Sequence, residues 1–262
     1  MTSQDAPPLR SVLLPTEHGG WSLTLEPVLL GLLVEPSGVG VLLGVAALLS
    51  FLIRTPMRIV LVDRHRQRTL PRTRLARRVA GVEMAVMAVV VIAAFALTEH
   101  PFWWPLLLAA PFTLLELWYD VRSRSRRLVP ELAGSVGVAS VAAVIALAGG
   151  SPDRLAAGLW CIAGARAVAA VTFVRIQLRR GKDQPFSSWM SDGFQLLAVG
   201  AVGLAWWLDA VSMPGLVAIA ALALVHLILV RRAVPATPII GAQQVVLGLA
   251  VVLTAGLGAL AP

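Results

Sequence analysis

Nine apolar runs follow one another along the chain, separated by short polar gaps. They cover residues 17–34, 38–61, 79–97, 102–119, 132–149, 155–175, 191–208, 213–230 and 239–260. About 20 apolar residues cross the hydrocarbon core of a bilayer as a helix. Runs of this length in lipid must be helical, because every backbone N–H and C=O needs an internal partner. Turn formers punctuate them, as in Glu35-Pro36-Ser37-Gly38, Gly150-Ser151-Pro152 and Met213-Pro214-Gly215. The pattern predicts an all-α polytopic membrane bundle of about nine transmembrane helices. It forms one domain over residues 15–262, behind a mobile N-terminal tail of residues 1–14.

Composition agrees, with 58% hydrophobic and 14% charged residues against the roughly 25% charged residues of a soluble domain. A net charge of +8 could by itself suggest a nucleic-acid partner, but its distribution says otherwise. The gap after the second run holds Arg64, Arg66, Arg68, Arg72, Arg74, Arg77 and Arg78; the gap after the fourth holds Arg122, Arg124, Arg126 and Arg127. Arg175, Arg179, Arg180 and Lys182 follow the sixth run, Arg231 and Arg232 the eighth, and Arg10 precedes the first. Every one of these falls on the same side of an alternating chain. The opposite loops hold Arg154 beside Glu35, Glu99, Asp153 and Asp209. The positive-inside rule then places the N-terminus in the cytosol and the C-terminus outside.

Arginine supplies all basic residues but Lys182, and alanine, valine and glycine abound, which suggests a GC-rich bacterial genome and the cytoplasmic (inner) membrane. The expected partner is the lipid bilayer, with no nucleic acid, and no protein partner can be inferred. No cleavable signal peptide is expected, since the first run leads straight into further spans. The single cysteine, Cys161, excludes an intrachain disulfide. No phosphate-binding loop, dinucleotide fingerprint, zinc motif or nucleophile elbow occurs.

Ionisable residues inside spans are costly and face the bundle interior or water. Here they are Glu26, Arg54, Arg58, Glu83, Glu116 and Arg166, while Glu17, Asp63, Asp120, Glu131, Asp183 and Asp192 flank spans on the cytosolic side. Glu26 sits about 14 Å past Glu17 along a helix, near the bilayer middle. Arg54 and Arg58 share one face, as do Glu116 and Asp120, with Tyr119 adjacent. Pro27 and Pro56 free carbonyls beside Glu26 and between the two arginines, as at helix breaks that line membrane sites. Together these features predict one pocket open to the cytosol. Arg166 is readable either as a ligand or as the structural partner of Glu26 or Glu83. His100 and His226, near span ends, read as interfacial. In Glu17-His18-Gly19-Gly20 an acid and a base that titrates near neutrality adjoin two permissive glycines, making Glu17 and His18 the candidate catalytic acid/base. Gly40 and Gly44 in a GxxxG, with Gly134, Gly137, Gly200 and Gly203, suit close helix packing.

The blocks PTEHGGW (15–21), IRTPMR (53–58), DRHRQR (63–68) and YDVRSRSRRLVPELAG (119–134) resemble the YwiC-like family of bacterial membrane proteins. That resemblance covers essentially the whole chain and implies a multi-pass membrane protein. Nine helices, a cytosolic N-terminus and polar loops after the second and sixth spans are also similar to the UbiA-type prenyltransferases. Those enzymes use Asp-rich loops there to hold magnesium on a prenyl diphosphate. This second resemblance implies Mg2+ at Asp63 and Asp183, although Asp63 has no second carboxylate within four residues.

The reading that follows is a divergent prenyl- or lipid-group transferase acting on an anionic or isoprenoid lipid. Arg54 and Arg58 would hold the head group, and Glu26, Glu83, Glu116, Tyr119, Asp120 and Arg166 would line the substrate pocket. The alternatives are a carrier of a small anion or metabolite, with Arg166 and Glu26 as a switchable midplane pair, and a non-catalytic assembly factor.

Overall fold

The computed structural model describes Val12, residues 18–122 and residues 127–261. Among them ten helices follow in order without a strand: α1 (His18–Val34), α2 (Gly38–His65), α3 (Pro71–Leu97), α4 (Trp104–Val121), α5 (Leu128–Ala139), α6 (Val141–Gly149), α7 (Asp153–Arg180), α8 (Ser188–Trp207), α9 (Met213–Leu229) and α10 (Thr237–Leu260). Helices α5 and α6 are two halves of one span, so each of the nine apolar runs has its helix.

Local chemistry sets the ends. The Ser37 hydroxyl caps α2 by accepting from the Gly40 N–H at 3.0 Å. Helices α3, α4, α9 and α10 each carry proline in the first turn, where no intrahelical donor is needed. Gly150, at φ 107°, ends α6 in the left-handed conformation that glycine adopts without strain. Both α3 and α7 extend past their apolar runs into arginine-rich sequence, because arginine is a good helix former.

The expected helix breaks are elsewhere. Helices α1 and α2 run unbroken through Pro27 and Pro56. The interruption falls at Ser140, whose hydroxyl donates to the Gly137 carbonyl at 2.7 Å. Side-chain bonding to the preceding turn competes with the helical ladder and bends it.

Helices α6 and α7 form the centre; residues Ala142 to Ala148 of α6 are all buried. Helix α1 packs against α2, α5, α6, α7 and α10, so the last helix closes on the first. Helix α3 packs mainly on α2 and turns Val82, Val89, Ile92 and Leu97 outward, as a lipid-facing helix must.

Cross-links fix the two faces of the bundle. Arg54 joins Asp120, Arg175 joins Glu131, Arg231 joins Asp192, and Arg180 donates to the Val230 and Arg232 carbonyls. These gather the ends of α2, α4, α7 and α9 and the starts of α5 and α8 on one arginine-rich face. Bonds from Ser151 to Glu35, Trp104 to Asp153 and Thr98 to Ala148 gather the alternate ends opposite.

Candidate functional site

Arg166, midway along α7, is buried, at 2% exposed. An arginine there is tolerable only with partners. Its Nη2 donates to Glu26 Oε1 on α1 at 3.1 Å and to the Gln244 carbonyl on α10 at 2.7 Å; Nη1 donates to Gln244 Oε1 at 3.3 Å. Its Nε is buried without a hydrogen-bond partner. Gly248, one turn along α10 from Gln244, leaves the room: a side chain there would collide with the Glu26 carboxylate and Arg166. Beside the pair is a cavity of about 10 Å³, lined by Leu23, Glu26, Pro27, Ile162, Arg166 and Val251 among others, room for a single water.

The polar chain continues toward the arginine-rich face. Because Gln244 Oε1 accepts from Arg166, its Nε2 is the donor toward His226 Nε2 on α9, 3.1 Å away. His226 therefore carries its proton on Nδ1 and gives it to Gln195 Oε1 on α8 at 3.2 Å. Gln195 Nε2 then donates to the Ala169 carbonyl of α7 at 2.9 Å. Phe173 stacks on the His226 ring at a centroid distance of 4.3 Å. Five helices thus share one thread in which Arg166 donates both to Glu26 and to Gln244, and each link from Gln244 on donates to the next. His226 is fully buried, not interfacial, because two amides at its own depth satisfy both ring nitrogens. Sequence reading placed His226 by its distance from a span end; matching that depth to Gln195 and Gln244 would have found the partners.

The other candidates lie apart from this thread. Arg54 bonds Glu116 at 2.7 Å and Asp120 at 3.1 Å, joining α2 to α4, and the Glu116 carboxylate lies against Gly134 of α5. Arg58, one turn along, and Tyr119, beside Asp120, are half-buried. Glu83 lies on outlying α3, its Oε2 buried without a hydrogen-bond partner. The polar contacts therefore sort the expected pocket residues into separate groups rather than one open pocket. Glu17 lies outside the described residues, as does the His18 side chain. Of the glycines, Gly40 and Gly44 sit at close helix contacts, whereas Gly200 faces open space.

Magnesium requires a near-octahedral shell of oxygens. Asp63 is buried, and its oxygens are taken by protein donors: Arg68 at 2.7 Å, with Arg72 at 3.6 Å, on Oδ1, and the Thr73 hydroxyl at 2.6 Å on Oδ2. Asp183 is exposed in the turn after α7, at φ 50°. Among the described residues no three histidine, cysteine, aspartate or glutamate side chains gather. The two aspartates do not fit a magnesium centre; Asp63 is instead a clasp that closes the turn from α2 to α3. At the arginine-rich face, Asp192 beside Arg231 pushes that exposed guanidinium further into its charged form.

Nine apolar spans, arginine-lined loops on one face and a charge pair held between helices define a polytopic α-helical membrane protein. A family model described as YwiC-like protein matches residues 14–146, half of the chain, and the chain belongs to that family. The matched stretch holds Glu26, Asp63 and the Arg54 cluster; Arg166, Gln195, His226 and Gln244 lie beyond it. No curated protein and no solved structure matches the chain.

Proposed function

We propose that the protein is a carrier of small carboxylate or phosphate anions in the bacterial cytoplasmic membrane, its arginine-rich face toward the cytosol. One observation carries the reading. Arg166 sits at mid-span with an N–H to spare, next to a small cavity, and its only charged hydrogen-bond partner among the described residues is the Glu26 carboxylate. Guanidinium recognises carboxylate and phosphate by forked hydrogen bonds. Glu26 occupies the place a substrate carboxylate would take. A substrate anion binds by replacing Glu26, and Gln244 keeps the guanidinium in place meanwhile. The transferase reading lacks comparable support. Asp63 is engaged by Arg68 and Thr73, Asp183 stands exposed in a turn, and no cluster of three metal-ligating side chains occurs among the described residues.

Uptake of labelled lactate, succinate and inorganic phosphate into proteoliposomes tests the reading. The neutral double variant Arg166→Gln, Glu26→Gln removes the site without stranding a charge. Wild-type vesicles are expected to accumulate at least one anion, and vesicles with the double variant none. Equal uptake by both, or none by the wild type, would overturn it.

A further inference from the structure

We propose that each anion is carried with one proton, which ends on Glu26; this rests on the carrier reading above. The argument is a charge count. At rest Arg166 and Glu26 cancel, and the amides and His226 beside them are neutral. When an anion takes the guanidinium, Glu26 loses its partner in surroundings of Leu23, Pro27, Leu30, Ile162, Val251 and Val252. A carboxylate in such surroundings does not stay ionised without compensation.

Among the described residues no other cation is placed to replace Arg166. Helices α6 and α10 carry no charged residue. On α5, Glu131 is held by Arg175. On α2, Arg54 is held by Glu116 and Asp120, and Asp63 by Arg68 and Thr73. Beyond these, α2 carries Arg58, Arg64 and His65, at or toward its arginine-rich end. On α7, Arg175, Arg179 and Arg180 lie likewise toward that end, while Asp153 and Arg154, the latter beside Asp209, lie at the opposite end.

The balance is simple. A hydronium ion gives its proton to a Glu26 oxygen lone pair and leaves as water. The Glu26–Arg166 pair is exchanged for an anion–Arg166 pair, and with a monoanion such as lactate the site ends neutral. The guanidinium holds its place because Gln244 gives it two acceptors, at 2.7 and 3.3 Å, that do not depend on Glu26. Gln244 is in turn held by His226, and His226 by Gln195. These three are positioning residues.

Lactate stays a monoanion over the relevant range, so its binding to the purified full-length protein reads the proton directly. Its dissociation constant is expected to rise about tenfold per pH unit between about pH 5.5 and about 7.5, the signature of one proton bound with the ligand. Glu26→Gln is expected to flatten that slope while still binding. His226→Gln, which can both donate and accept but takes no proton, is expected to keep it. A flat wild-type profile, a slope that survives Glu26→Gln, or one lost in His226→Gln would overturn the proton assignment while leaving the carrier reading intact. Failure of lactate, succinate and phosphate all to bind would overturn both.

Discussion

Two arginines on neighbouring parts of the bundle face carboxylates in different ways. Arg54 is a third exposed and faces two acids, Glu116 and Asp120, so its guanidinium is filled by the protein's own charge. Arg166 is 2% exposed and faces one acid, two oxygens of a single glutamine and nothing at Nε. The first arrangement ties α2 to α4. The second is balanced in charge, deeply buried and incompletely satisfied. An embedded charge is therefore a poor guide to a site until its partners are counted; what marks a site is a buried donor left over.

The largest expected effect comes from breaking the central pair on one side. Arg166→Ala leaves Glu26 buried and unpaired, and is expected to cost about 3–5 kcal/mol, read as a large fall in the thermal midpoint in detergent. A change below about 1 kcal/mol would mean that water reaches Glu26 and the thread is open. Next comes the clasp. Asp63→Asn weakens the bonds to Arg68 and Thr73 and is expected to cost about 1–3 kcal/mol, with faster proteolysis in the α2–α3 turn. Unchanged proteolysis would detach Asp63 from that role. Glu116→Gln should matter less, about 0.5–1 kcal/mol, since Arg54 is partly solvated and keeps Asp120. At the surface, Arg231→Ala is expected to leave the melting curve unchanged.

These contrasts mark what could be read from sequence. The nine spans were legible because lipid leaves helices as the only solution for such runs. The interruption at Ser140 was not, because a hydroxyl bonded back to Gly137 uses residues that occur harmlessly in many helices. Depth along each run drew attention to Glu26, Arg54, Glu116 and Arg166, which the structure holds in ion pairs between helices. Pairing was harder: whether Arg166 meets Glu26 or Glu83 depends on α10 closing against α1 while α3 stands outside, an order around the bundle that periodicity does not encode. Asp63 looked like a ligand because its later partners, Arg68 and Thr73, lie in the loop and the next helix. His226 was judged alone, when only matching its depth to amides on two other helices reveals its role.

The most direct measurement is the lactate affinity of the purified Glu26→Gln protein beside the wild type at neutral pH. If Glu26 competes with substrate for Arg166, removing its charge frees the guanidinium, and binding is expected to tighten about tenfold or more. Unchanged or weaker binding in a protein that still folds would mean the pair is purely structural and the anion site lies elsewhere.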